Sequence, residues 1–143
     1  VEFEAYLSTG DKVVIYVPAY NMALSSNKVA TYYNAGIDVS AGFGAITNAE
    51  IWVVTVNEDG TYTFTNEANG VKLALGADYS SLNDYGVNDK WEMIAKEGAE
   101  DIFYLKNVGR GNYLEWYASK NNWSTYTPKT LDDLFELSFY KVG

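Results

Sequence analysis

The side chains of this chain that could recognise a ligand are aromatic rings set among amides, hydroxyls and carboxylates. The densest run spans residues 120–126 and contains Asn121, Asn122, Trp123 and Tyr126. Ring faces stack on the C–H faces of polyols, while fixed amides and carboxylates hydrogen-bond the hydroxyl groups. This combination predicts a binding site for a sugar.

Two further runs, 31–34 and 78–85, pair aromatic and polar residues in the same way. Glu115 and Tyr117 form a third group, which precedes the densest run along a strand-like segment. An alternative interpretation is that such residues only close β-turns through their hydroxyls and amides. The candidate ligand-binding residues are Trp123, Tyr126, Asn121, Asn122, Tyr117, Glu115, Tyr33, Asn34, Tyr79, Asp84 and Tyr85.

Trp123 is the strongest single candidate because its run shows no apolar alternation that would place it in a core. We therefore expect that Trp123→Ala lowers ligand affinity about ten-fold or more, with little change in the thermal midpoint. Trp116 lies on the same strand face as Leu114 and is predicted to be a core residue. By the same alternation, Glu115 and Tyr117 are predicted to point outward, as is Tyr113.

The chain contains no Cys and no His, which excludes a thiolate nucleophile, a histidine base and a Cys/His zinc site. A glycosidase would need two carboxyl groups about 5 to 10 Å apart. Asp84 or Glu115 with Asp132 could supply them, but no motif places them face to face. Asp78, Asn83 and Asp84 offer oxygen ligands for Ca²⁺ at a spacing that fits no EF-hand. We predict a protein that is not an enzyme and has no cofactor and no bound metal.

The 143 residues carry a net charge of −9, and Arg110 is the only arginine. One domain is expected at this length. We predict no nucleic-acid partner and no membrane partner, because both nucleic acid and anionic membranes require clustered basic residues. No apolar run approaches the ~18 residues of a membrane span. Since the chain opens on Val1 without a signal peptide, we expect a module linked to further domains of a larger protein, secreted or at the cell surface.

An acidic residue, a spacer and an aromatic residue recur three times, with the aromatic residues 39 and then 44 residues apart. A period of about 40 residues indicates a repeat architecture. We predict a single domain of three units, approximately 10–52, 53–91 and 92–135, with a closing strand at 135–142. The three pairs are Glu50 and Trp52, Asp89 and Trp91, and Asp133 and Phe135.

Each unit reads as a β-hairpin with period-2 alternation and a glycine-containing turn. The second and third units align at an offset of 41, with Asn66 over Asn107 and Leu73 over Leu114. The aromatic residues of the three pairs each lead an alternating strand and are predicted to fill one core. The last strand has no hairpin after it and the first hairpin has no such strand before it. We therefore predict a closed ring in which the C-terminal strand docks beside the N-terminal one.

About twelve short strands, threefold similarity and a Q-x-W-like marker in each unit resemble the β-trefoil, specifically the ricin-B-type lectin family. In this chain Gln is replaced by Glu50, Asp89 and Asp133, and one Trp is replaced by Phe135. The resemblance covers nearly the whole chain and implies an all-β trefoil. It also implies a sugar pocket in each unit, between the second strand and the acidic-x-aromatic triplet.

Segments 10–16, 48–64 and 110–126 also resemble a module that is appended to enzymes and surface proteins among the large exported proteins of Gram-positive gut bacteria. Together these features predict a non-catalytic, lectin-like carbohydrate-binding module. A module that binds a protein through the same loops is the first alternative, and a carboxylate-dependent glycosidase is the second.

Overall fold

The computed structural model describes residues 6–30 and 33–142. In this part of the chain there is no α-helix, and no helix is long and apolar enough to cross a membrane. Short 3-10 helices lie at Asn48–Glu50 and Ala118–Lys120. The strands are β1 (Lys12–Val17), β2 (Met22–Ala30), β3 (Tyr33–Asp38), β4 (Trp52–Val56), β5 (Tyr62–Asn66), β6 (Trp91–Ala95), β7 (Phe103–Asn107), β8 (Tyr113–Tyr117), β9 (Asn122–Tyr126) and β10 (Ser138–Lys141).

Six of these strands form a closed barrel. β1 pairs with both β10 and β4, and antiparallel pairing continues from β4 through β5 and β6 to β7. The ring closes at Phe103 of β7, whose backbone exchanges two hydrogen bonds of 2.8 Å with Leu137. The predicted docking of the C-terminal strand beside the N-terminal strand is confirmed, with Val13 opposite Lys141 and Tyr16 opposite Ser138. Closure leaves the barrel without a free edge.

The remaining strands form the hairpins β2–β3 and β8–β9. The corresponding segment of the second unit makes only isolated bridges, in which Leu75 pairs with Leu82 and Asn88. The chain turns tightly here, and Gly86 lies so close that a Cβ atom on it would stand 2.4 Å from the Leu75 carbonyl oxygen. This turn interrupts the ladder, so the predicted twelve strands become ten in the described part of the chain.

Equivalent indole hydrogen bonds tie the first two hairpins to the barrel. Trp52 Nε1 donates to the Leu24 carbonyl at 3.1 Å, and Trp91 Nε1 donates to the Leu73 carbonyl at 2.8 Å. The ring of Phe135, at the third such position, has no N–H group to donate. Trp52, Trp91 and Phe135 are all buried, as predicted, and Trp116 is buried as well. The inward-facing positions therefore follow the repeat.

Candidate functional site

The three hairpin segments, β2–β3, residues 71–88 and β8–β9, contact one another and form what we call the hairpin cap. β3 meets β9 where Asn34 lies opposite Trp123. The second unit joins the third where Thr125 N donates to the Ser80 carbonyl at 3.0 Å. β9 is therefore bonded on both edges, because β8 pairs along one edge while β3 and residue 80 bond to the other. Residues from all three units converge here.

A polar cluster joins the first and second units. Lys28 Nζ lies 2.9 Å from a carboxylate oxygen of Asp84 and donates to Asn34 Oδ1 at 2.6 Å. The Asn34 amide also donates to the Ser25 carbonyl at 2.8 Å, and its side chain is buried. Asn34 was predicted to bind ligand, but both ends of its amide are already used inside the protein. Asp84 is likewise held in an ion pair.

A depression of about 500 Å³ opens on the hairpin cap. Tyr33, Tyr79 and Tyr117 line it, one from each unit, with exposed fractions of 45, 84 and 42%. The volume falls within the range of about 300–1,000 Å³ that is typical of ligand pockets. The structure therefore brings residues from three predicted sites together into one, which we call the tyrosine depression. Its lining residues are Val29, Tyr33, Tyr79, Ser80, Ser81, Tyr117, Lys120, Asn122 and Ser124.

Arg110 holds the segment that carries Tyr79. Its guanidinium donates to the carbonyl oxygens of Gly76, Asp78 and Tyr79 at 2.6, 3.3 and 3.1 Å. Tyr79 itself has φ of 61°, a conformation that non-glycine residues seldom adopt without support. Sequence reasoning missed this role, although a single arginine in a chain whose other basic residues are all lysines was a usable signal.

A second cavity of about 380 Å³ adjoins the tyrosine depression. Its lining residues are Ser80, Glu115, Tyr117, Ser124, Thr125 and Tyr126, and we call it the Glu115 cavity. Ser80, Tyr117 and Ser124 line both spaces. The two spaces therefore share a wall, and Tyr117 stands between them.

Glu115 is only 8% exposed, so the prediction that it points freely outward is wrong. The strand alternation was read correctly, but the segment around Ser80 bonds to β9 and covers that face of the hairpin. Burial raises the pKa of the Glu115 carboxyl, and the negative charge of Asp132 raises it further. Tyr117 on the same face remains exposed, as predicted.

Trp123 is fully buried, and the prediction that it lies outside the core is wrong. Its Nε1 donates to the Ala23 carbonyl at 3.1 Å, and its ring meets that of Trp116 edge-on with centroids 5.7 Å apart. The sequence did not reveal Trp123 as a core residue, because its polar neighbours Ser124 and Thr125 are buried too and no alternation of apolar and polar residues marks the core face. Polar side chains are covered there because β9 is bonded on both edges, which local alternation cannot reveal.

The other candidates divide between the two spaces and the outer surface. Asn122 lines the tyrosine depression, although its buried amide also donates to the carbonyl of the next residue at 3.0 Å. Tyr126 is exposed in the Glu115 cavity. Asn121, with φ of 53°, ends the second 3-10 helix, and Tyr85 is 94% exposed and lines neither space. Residues 31 and 32 of the first run lie outside the described residues.

The carboxylate and calcium alternatives meet specific obstacles. Asp84 is paired with Lys28, and the Asn83 side-chain oxygen accepts the Tyr85 N–H at 2.8 Å. Within residues 6–30 and 33–142, no three His, Cys, Asp or Glu side chains group in a way that could hold a metal. Asp132 is near enough to Glu115 for its negative charge to raise the pKa of the Glu115 carboxyl.

Solved structures share this architecture over nearly the full chain. A structure described as BEL beta-trefoil superposes with a TM-score of 0.75 at 12% identity, covering 99% of this chain and 100% of that one. This chain is a β-trefoil. A ricin B-like lectin of Macrolepiota procera, in complex with lactose, matches with a TM-score of 0.71 at 12% identity, over 94% of this chain and 98% of the lectin.

The GlcNAcα1-4Gal-releasing endo-β-galactosidase of Clostridium perfringens matches with a TM-score of 0.71 at 11% identity, over 93% of this chain but only 33% of the enzyme. No protein-family model and no curated protein sequence matches the chain. At identities this low, the matches show a shared fold alone, and that fold occurs both in the lectin and in the glycosidase.

Proposed function

We propose that this β-trefoil is a non-catalytic carbohydrate-binding module and that a saccharide binds in the tyrosine depression. The observation that carries the proposal is the convergence of Tyr33, Tyr79 and Tyr117, one from each unit, around a single space of about 500 Å³. Their exposed rings offer stacking faces for sugar C–H groups. The hydroxyls of Ser80 and Ser81 supply polar contacts at the same place.

The neighbours in fold support a lectin-like module, since the Macrolepiota procera lectin structure contains lactose. The matched part of the endo-β-galactosidase is a third of that enzyme, so a similar trefoil also accompanies a glycosidase. For this chain, the ion pairing of Asp84 favours binding over catalysis. We further propose that the module acts outside the cell or at its surface, linked to other domains.

The tyrosine depression is open, so the expected affinity is modest, with Kd between about 1 mM and 1 µM. Exposed rings contribute stacking without a deep desolvated pocket, and ordering a flexible saccharide costs free energy. Higher avidity would then require several copies of the module on one protein or surface.

A glycan array followed by competition with the free sugar tests the proposal. We expect sugar-competable binding that Tyr79→Ala weakens about ten-fold or more. Tyr85→Ala is the matched control, because Tyr85 belongs to the same segment, is also highly exposed and lines neither space. A blank array would overturn the proposal in favour of a protein partner. Hydrolysis of array oligosaccharides that is lost in Glu115→Gln would overturn the non-catalytic assignment.

A further inference from the structure

The described residues contain two buried glutamates whose surroundings differ sharply. Glu50 is satisfied, since its carboxylate accepts hydrogen bonds from Thr47 N at 2.8 Å and Ser25 Oγ at 2.6 Å. The Glu115 residue is also more than nine-tenths buried, and no hydrogen bond or ion pair within residues 6–30 and 33–142 reaches its carboxylate. Every fully buried side-chain oxygen in these residues has a partner, so the carboxylate oxygens of Glu115 touch solvent. A carboxylate that has no donor from the protein is available to a donor from a ligand. Glu115 therefore has unused capacity to accept hydrogen bonds, and it lines a cavity of about 380 Å³.

The groups around Glu115 indicate which kind of hydrogen-bond donor its carboxylate would bind. Asp132 adds a second negative charge nearby, and its effect on the Glu115 pKa has the same sign as that of burial. Tyr117 and Tyr126 line the same cavity and are 42 and 57% exposed. Carboxylates and aromatic rings together are the groups that attract a cationic ligand, through charge-assisted hydrogen bonds and cation–π contacts.

We propose that the Glu115 cavity is a subsite for the protonated amino group of an amino sugar, as the next residue of a saccharide bound in the tyrosine depression. This inference rests on the proposed function, and it specifies the class of saccharide. An ammonium group would form a charge-assisted hydrogen bond with the Glu115 carboxylate. An N-acetylated sugar carries no charge and would offer Glu115 only neutral hydrogen-bond donors, while an acidic sugar would be repelled by Glu115 and by the nearby charge of Asp132.

The geometry of the wall between the spaces links the two positions. Ser80, Tyr117 and Ser124 line both the tyrosine depression and the Glu115 cavity. One saccharide of two or three residues can therefore contact both, with Tyr117 between its units. Ser124 lies opposite Glu115 across the β8–β9 ladder, and its hydroxyl already donates to the Ser80 carbonyl at 3.3 Å. Because the Ser124 hydroxyl already donates to the Ser80 carbonyl, the Glu115 carboxylate remains available to the ligand.

Calorimetric titration with three trisaccharides of one backbone tests the inference: the β-1,4-linked trimers of glucose, N-acetylglucosamine and glucosamine, at a pH where the amine is protonated. We expect the glucosamine trimer to bind about ten-fold or more tightly than the other two. Glu115→Gln keeps the shape of the side chain and should remove that preference. Glu58→Gln removes the same single charge at an exposed turn and should keep it.

The outcomes separate the inference from the proposed function. Binding of neutral saccharides on the array without preference for the amine overturns the inference and leaves the function intact. A preference that survives in Glu115→Gln also overturns it, because the effect would then come from the net charge of −9. No binding to any saccharide, in the array or the titration, overturns both.

Discussion

The hairpin segments of the second and third units begin from the same scaffold and end differently. In the third unit, β8 and β9 form a regular ladder of five residue pairs, and Trp116 faces Trp123 across it. In the second unit the same region makes isolated bridges and places Tyr79 at the surface. Leu73 and Leu114, which align in the two units, are buried in both.

This difference shows where the chain is constrained and where it is free. Positions that face the barrel repeat, because all three units contribute to one core. Where a pair of tryptophans fills the cap, the ladder is complete. In the second unit, which lacks the pair, the segment turns outward and is bonded by Arg110 of the third unit. The candidate site arises at that point of divergence.

Removing one tryptophan of the Trp116–Trp123 pair should have the largest effect on stability. Trp123→Ala should lower the free energy of unfolding by about 3–5 kcal/mol, because a large buried ring is replaced by a cavity. Trp123→Phe is the matched control and should cost less, since it keeps an aromatic ring and loses the bond to the Ala23 carbonyl and only part of the buried indole volume. Chemical denaturation measures both. An unchanged stability together with lost ligand binding would restore the sequence-based prediction for Trp123.

Adding one methyl group beneath the same pair should have the next largest effect. A Cβ atom on Gly36 would stand 2.6 Å from the Trp116 ring, so Gly36→Ala should cost about 1–3 kcal/mol through overpacking. Gly44→Ala is the control, because nothing lies within 4 Å of its Cβ position. Thermal melts of both variants decide the point. Equal midpoints would show that Trp116 does not pack against β3 as described.

Arg110→Ala tests whether the third unit shapes the Tyr79 segment. Loss of its bonds to the carbonyls should cost about 1 kcal/mol of stability but weaken saccharide binding about ten-fold. Hydrogen exchange of residues 76–81 should rise at the same time. Arg110→Lys should fall between, because an ammonium cannot span the carbonyls as a guanidinium does. Unaltered affinity with fast exchange would mean that Tyr79 does not need a fixed position.

Glu115→Gln should change stability least and only above a certain pH. Burial raises the pKa of Glu115 in the folded chain above its unfolded value. The folded state therefore holds this proton more tightly, and stability falls as pH rises from the ordinary glutamate pKa through the raised one. The variant should match the wild type below that window and be the more stable above it. Melts at pH 3 and pH 7 check this, and a variant that is less stable at pH 7 would contradict it.

The barrel could be predicted from sequence because its information is local and repeated. The alignment of Asn66 with Asn107, and the acidic-x-aromatic triplets, led to the closed ring and to the burial of Trp52, Trp91 and Phe135. Predicting the fold did not require knowing which hairpins contact each other.

The candidate site could be predicted only in part, because its pieces are joined by contacts distant in sequence. Tyr33, Tyr79 and Tyr117 were identified as candidates, but nothing in their spacing indicates that they line one depression. The burial of Trp123 and Glu115 depends on the packing of residue 80 and β3 against β9. Arg110 was missed for the same reason, since its partners lie more than thirty residues away.

A backbone NMR titration with a saccharide identified on the array tests the central claim, that three units build one site. We predict one saccharide per chain, with signals near Tyr33, Tyr79 and Tyr117 shifting along a single binding curve. Two or three independent curves, each confined to one unit, would show separate lobe sites. That result would contradict a composite site on the hairpin cap.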